Sequence, residues 1–161
     1  FIVVSESVHH RTVKEAIASR IEAGLESDEV EQSEGLFVEK GLEADHVGNI
    51  ADVRFDRPHQ GFQGFAFEIK SRCSRRERTR SIFQLTQYLR AGYHPVLIAS
   101  TKFYDSEPFT LVPGHYKLPY LELARSLSTD VIDVSHGQEV TFSPVSSHRY
   151  DSVEDLLFDR E

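Results

Sequence analysis

The spacing of hydrophobic residues predicts an amphipathic helix near the start of the chain. From Thr12 to Leu25, apolar side chains recur every three or four residues, at Val13, Ala16, Ile17, Ile21 and Leu25. This spacing places them along one side of a helix. Thr12 is the expected N-cap, with Glu15 three residues later as its capping-box partner, and Gly24 lies near the expected end.

Three short segments predict β-strands after this helix. They are Leu36–Val38, Ile50–Phe55 and Phe65–Lys70, and turn residues such as Gly48-Asn49 and Arg57-Pro58 separate them. Because the connections are short, we expect three antiparallel strands in a meander.

A second helix and a buried strand are expected next. Ser81–Ala91 carries Ile82, Leu85 and Leu89 at helical spacing, and the pattern stops at Gly92. Pro95–Ala99 is a continuous apolar run, which is typical of a strand that is covered on both faces. The order helix, three strands, helix, strand predicts an α/β fold, with a mixed central sheet flanked by helices.

The last sixty residues have a weaker pattern. We expect a helix, two short strands and a helical turn there, over Leu118–Leu127, Val131–Val134, Glu139–Phe142 and Val153–Phe158. No repeat or Gly- and Pro-rich linker divides the 161 residues. We therefore expect one domain over residues 1–161, with a core of about residues 12–100 and a C-terminal extension over residues 101–161.

Composition limits the location and the kind of metal site. No run approaches the roughly 18 consecutive apolar residues of a membrane span, and the first residues lack a secretory signal, so we expect a cytoplasmic protein without a membrane partner. Because the chain contains no methionine, we expect its natural start to lie upstream of Phe1.

The single cysteine, Cys73, cannot build a disulfide or a cysteine-held metal cluster within one chain. The eight histidines show no metal-ligand spacing, and we expect most of them at the surface.

Positive charge is concentrated in one short stretch. The formal net charge of -8 argues against binding nucleic acid by overall attraction. Between Lys70 and Arg80, however, six basic residues stand against the single acid Glu77. We expect four arginines of this stretch to contact phosphates, namely Arg72, Arg75, Arg76 and Arg78. A solvated basic surface is the alternative interpretation.

Asp52, Glu68 and Lys70 are the candidate catalytic residues. Asp52 lies in the second predicted strand, and Glu68 and Lys70 alternate with Ile69 near the end of the third, which puts the two on one face. Paired strands would bring Asp52 beside Glu68, giving two hard oxygen ligands for Mg²⁺ or Mn²⁺, with Lys70 near enough to orient or deprotonate water. The alternative is a solvated face of an edge strand, with Asp52 as a turn residue or cross-strand partner.

This arrangement resembles the PD-(D/E)XK, or restriction-endonuclease-like, nuclease superfamily. The resemblance covers roughly residues 12–100 and rests on the element order, on Asp52 and on Glu68-Ile69-Lys70. Gln84 and Tyr88 lie four residues apart on the following helix. This Gln-x-x-x-Tyr spacing is similar to that of the RecB-like group, in which such side chains border the active site. Ala51 stands where the name-giving proline would be, and the cysteines of the relatives with iron–sulfur clusters are lacking.

The resemblance also implies a further glutamate on the first helix that completes the site. Glu15 is the candidate, with Glu22 as an open alternative and helix capping as another role for Glu15.

We therefore expect a DNA-cleaving phosphodiesterase that uses Mg²⁺ or Mn²⁺, held by Asp52, Glu68 and the carbonyl of Ile69. RNA as substrate, endo- or exonucleolytic action and a homodimer are left open. The alternatives are a nucleic-acid-binding domain of the same fold that has lost cleavage, and a structural or interaction domain.

Overall fold

The computed structural model describes the chain over residues 8–27, 36–38, 51–71, 74–100, 103, 120–136, 139–145 and 152–158. Within these residues it is an α/β fold of four helices and one six-stranded mixed sheet. The helices are α1 (Val8–Ser27), α2 (Arg75–Arg90), α3 (Tyr120–Ser126) and α4 (Val153–Leu157). The strands are β1 (Leu36–Val38), β2 (Val53–Phe55), β3 (Phe65–Lys70), β4 (His94–Ala99), β5 (Asp130–His136) and β6 (Val140–Pro144).

The strands lie across the sheet in chain order from β1 to β6. β1, β2 and β3 are antiparallel, β4 is parallel to both β3 and β5, and β6 runs antiparallel to β5. The predicted meander and mixed sheet are confirmed. Helix α2 makes the crossover between the parallel strands β3 and β4, as parallel pairing requires.

Helices cover both faces of the sheet, so β3 and β4 are buried along their whole length. On one face, α1 and α4 pack on the sheet in a cluster that includes Ile17, Leu156 and Phe67. On the other face, the cluster includes Leu85 of α2 and Ala124 of α3. Alternation along β3 directs Phe67 and Ile69 to the α1 face and Glu68 and Lys70 to the α2 face.

Helix α1 begins one turn earlier than its apolar pattern indicates. The predicted stripe is confirmed, because Val13, Ile17, Ile21 and Leu25 are all buried. The predicted N-cap at Thr12 is wrong, since the helix starts at Val8 and Thr12 lies inside it.

Helix α2 also begins earlier than predicted, at Arg75 rather than Ser81. The Ser74 hydroxyl accepts a hydrogen bond of 3.1 Å from the backbone N–H of Glu77, which caps the helix. The basic stretch therefore forms the first turns of α2. The predicted end is confirmed at Gly92, whose φ of +91° is a left-handed conformation that favours glycine.

The C-terminal residues complete the same sheet. β5 and β6 extend it beyond β4, and the ring of Phe158, just after α4, lies against Gly24 of α1. A side chain at residue 24 would occupy the position of that ring, so this glycine lets the C-terminal turn pack on α1. None of the described helices combines the length and apolar character needed to cross a bilayer.

Candidate active site

Asp52 is joined to β3 through both its backbone and its side chain. Its N–H donates to the carbonyl of Phe67 over 3.1 Å, and its Oδ2 accepts a hydrogen bond of 2.7 Å from the N–H of Ile69. The prediction that Asp52 lies within the second strand is wrong, because β2 begins at Val53. Its carboxylate accepts the hydrogen bond from Ile69 just beyond Val53 and Phe67, the last paired residues of β2 and β3. A backbone carbonyl would be the acceptor in a continued strand pair.

Glu68 and Lys70 lie on β3 beside this contact. The Nζ of Lys70 is 3.3 Å from the Oε1 of Glu68. Glu68 is 4% exposed and Lys70 is 7% exposed, on a strand that lies between β2 and β4. The alternative of a solvated edge strand is therefore wrong, and the predicted position of Glu68 and Lys70 on one face of the strand is confirmed.

Helix α2 supplies two further contacts to this pair. The Tyr88 hydroxyl donates a hydrogen bond of 2.5 Å to the Oε2 of Glu68. At the start of the helix, the Oε2 of Glu77 lies 3.4 Å from the Nζ of Lys70. Lys70 is thus held between Glu68 and Glu77, while Glu68 is held between Lys70 and Tyr88.

Glu68 has a strongly altered acidity. Burial of its carboxyl, reinforced by the nearby negative charge of Asp52, raises the pKa of Glu68 from 4.5 to about 8. The positive charge of Lys70 and the hydrogen bonds from Tyr88 and Lys70 act in the opposite direction.

His10 is a neighbour of the site that the sequence analysis missed. Its Nε2 lies 3.2 Å from the Oδ1 of Asp52. His10 precedes the buried Val13 by three residues and Ile17 by seven, so extending the apolar stripe of α1 by one turn would have pointed to it. Of the other histidines, His59 and His94 are buried rather than at the surface.

The two glutamates proposed from the resemblance do not occupy this position. Glu15 and Glu22 are both exposed on α1. Glu15 is about 140° around the helix axis from His10, so the two residues lie on different faces. The structure brings His10 to Asp52, and it does not bring Glu15 to the site.

The other predicted site residues on α2 differ in how deeply they are buried. Tyr88 is fully buried at the site, whereas Gln84 is half-buried beside a surface groove. Arg75 and Arg76 are exposed in the first turn of α2, and Arg78 is half-buried. Arg72 and Cys73 lie outside the described residues.

No group of three or more His, Cys, Asp and Glu side chains that could hold a metal ion is present among the described residues.

Comparisons of this chain with protein-family models, curated proteins and solved structures give no match. The chemistry of the site therefore has to be inferred from its own residues.

Proposed function

We propose that this protein is a metal-dependent nuclease that hydrolyses phosphodiester bonds of DNA, with Asp52, Glu68 and Lys70 at its centre. One observation carries the proposal. The carboxylate of Asp52 is hydrogen-bonded to the backbone N–H of Ile69, between Glu68 and Lys70. This contact lies at the carboxyl end of the central strand that carries Glu68 and Lys70.

The charges of the site fit a divalent cation. Asp52, Glu68 and Glu77 supply three carboxyl groups; Lys70 contacts the two glutamates, and His10 contacts Asp52. Burial of Glu68, reinforced by the negative charge of Asp52, raises the pKa of its carboxyl. A bound cation would favour the ionised form of Glu68 and would offset the negative charge of the carboxylates.

The ligand atoms fit Mg²⁺ or Mn²⁺. Carboxylate and carbonyl oxygens are hard ligands, and Mg²⁺ is commonly bound through one or two carboxylates together with water and substrate phosphate. Asp52 and Glu68 would hold the ion. The carbonyl of Ile69 points to the same neighbouring strand as its N–H, toward Asp52, and would add a third oxygen. When bound, the ion supplies a Lewis acid that stabilises negative charge on the reacting phosphate.

The other side chains prepare this site for hydrolysis. Lys70, fixed between Glu68 and Glu77, would orient the attacking water or take its proton. Tyr88 holds one oxygen of Glu68, so the carboxylate is fixed in position before substrate binds. His10 holds Asp52 from the side of α1.

The fold supports assignment to the restriction-endonuclease-like type. A helix, three antiparallel strands, a crossover helix and a parallel strand follow in chain order, with the acidic residues next to β2 and on β3. The contact of Tyr88 with Glu68 agrees with the role that the RecB-like resemblance gives this tyrosine.

The test is incubation of the protein with linear, circular, single-stranded and branched DNA, in Mg²⁺, Mn²⁺ or chelator. Cleavage that requires the metal and disappears in Asp52→Asn would support the proposal, and the products would distinguish endo- from exonuclease action. If chelator leaves cleavage unchanged, or if no DNA is cut in either metal, the proposal is wrong.

A further inference from the structure

A groove runs along the outer side of α2. We call it the α2 groove. Its volume is about 700 Å³, and its described lining residues are Arg75, Arg76, Thr79, Arg80, Phe83, Gln84 and Gln87. Arg76, Arg80, Phe83 and Gln87 are spaced by three or four residues, so they form one stripe, about 16 Å long at the rise of an α-helix.

The groove is cationic in an acidic protein. Arg75, Arg76 and Arg80 are exposed, and none of the described lining residues is acidic. The whole chain has a formal charge of -8, so these arginines mark a local reversal of sign. Such a reversal favours a polyanionic ligand at this place.

Phe83 gives the groove a flat apolar element. Its side chain is 59% exposed, and among the described residues it is the large hydrophobic side chain that stands exposed. An exposed aromatic ring between arginines is suited to stacking on a nucleobase, because every base presents a flat face. In a duplex that face is covered by the neighbouring bases, so the ring indicates an unpaired strand.

Gln84 lies on the side of the groove that shares a helical face with Tyr88. It lines the groove and lies one helical turn before Tyr88, whose hydroxyl holds Glu68. Its Oε1 is buried and accepts no hydrogen bond within the described part of the chain. The exocyclic amino group of a base can supply a donor to this oxygen, whereas a phosphate cannot.

We propose that the α2 groove binds single-stranded DNA, with its arginines on the phosphates and Phe83 stacked on an unpaired base. The proposal rests on the proposed nuclease function and gives it a substrate class.

The test measures binding by fluorescence anisotropy in chelator, so that no metal-dependent cleavage interferes. The probes are a mixed-sequence single strand, its duplex, and the same strand carrying abasic sites. Phe83→Leu should weaken binding of the single strand about tenfold, the loss expected for one base stack, and should leave the duplex unaffected. On the abasic strand, wild type and Phe83→Leu should bind equally, because no base is present to stack.

The arginines are tested by Arg76→Gln and Arg80→Gln. Each should weaken binding of both single strands, with a salt dependence lower by about 0.7 units of slope per lost contact. Arg90→Gln, which changes an exposed arginine of α2 outside the groove, is the control and should bind like wild type.

Tighter binding of the duplex than of the single strand would overturn the proposal, and so would an unchanged affinity of Phe83→Leu for the base-containing strand. An equal loss on the base-containing and abasic strands would do so as well. Cleavage is assayed separately with Mg²⁺. A wild-type protein that cuts no DNA refutes the nuclease proposal, whereas normal cleavage with unchanged Phe83→Leu binding refutes the groove alone.

Discussion

The carboxylate of Asp52 accepts a hydrogen bond of 2.7 Å from the backbone N–H of Ile69, the residue that separates Glu68 from Lys70. This contact joins the residue just before β2 to the last residues of β3. Its donor is a backbone N–H, so only one of the two groups is a side chain. The proposed metal ligands thereby lie just before β2 and near the end of β3, and sites supported by regular elements are more precise than sites on loops.

Replacement of Asp52 should separate its structural role from its proposed catalytic role. Asp52→Asn keeps an oxygen that can accept from Ile69, so its stability should stay near that of wild type. Asp52→Ala removes this acceptor and leaves a buried N–H without a partner, at a cost of about 1–3 kcal/mol. Both variants should lose metal binding. Urea unfolding and calorimetry with Mn²⁺ check these outcomes, and equal stability of the two variants would contradict the role given to this hydrogen bond.

Glu68 should make the stability of the metal-free protein depend on pH. Its pKa is raised in the folded state from 4.5 to about 8, so over that interval the folded protein binds more protons than the unfolded chain. The free energy of unfolding should therefore fall as the pH rises through this interval, by an amount of the order of a few kcal/mol. Urea unfolding in chelator at several pH values measures this slope.

Glu68→Gln is the control for this pH dependence. The amide has a similar shape and does not titrate here, so the contribution of residue 68 to the slope should vanish. In wild type, Mg²⁺ binding should release about one proton at neutral pH, which calorimetry in buffers of different ionisation enthalpy detects. A slope that persists in Glu68→Gln would show that another group causes it.

Tyr88 should influence the pH dependence of the proposed DNA cleavage. Its hydrogen bond to Glu68 lowers the pKa of this carboxyl, so Tyr88→Phe should raise the pKa further and move the acidic limb of the cleavage profile to higher pH. Tyr93→Phe is the matched control, because Tyr93 is another fully buried tyrosine in the same hydrophobic cluster. Identical profiles for Tyr88→Phe and Tyr93→Phe would argue against this role.

Much of the fold could be predicted from hydrophobic patterns. β4 is predictable because it is buried on both faces and its sequence is therefore a continuous apolar run. The start of α2 was missed because the six residues Arg75–Arg80 have no apolar stripe, although Ser74 with Glu77 forms the sequence signature of a capped helix start.

The site was predictable where strand alternation decides the geometry. Glu68 and Lys70 share a face because they are two residues apart, and strand pairing brings Asp52 close to them. His10 and Glu77 could not be assigned in this way, because their contacts depend on how α1 and α2 pack across the sheet. Gln84 and Tyr88 were taken together as neighbours on one helical face, yet only packing distinguishes the buried Tyr88 from the half-buried Gln84.

The most direct test of the nuclease proposal compares wild type with Lys70→Met in single-turnover DNA cleavage at saturating Mg²⁺, with DNA affinity measured in Ca²⁺. Methionine keeps an unbranched side chain in the buried position and removes the charge, and Arg90→Gln serves as a charge-removal control elsewhere on the surface. We predict that Lys70→Met binds DNA nearly as wild type does but cleaves it at least about a hundredfold more slowly, each factor of ten being about 1.4 kcal/mol of transition-state stabilisation. Cleavage by folded Lys70→Met at the wild-type rate would contradict the assignment.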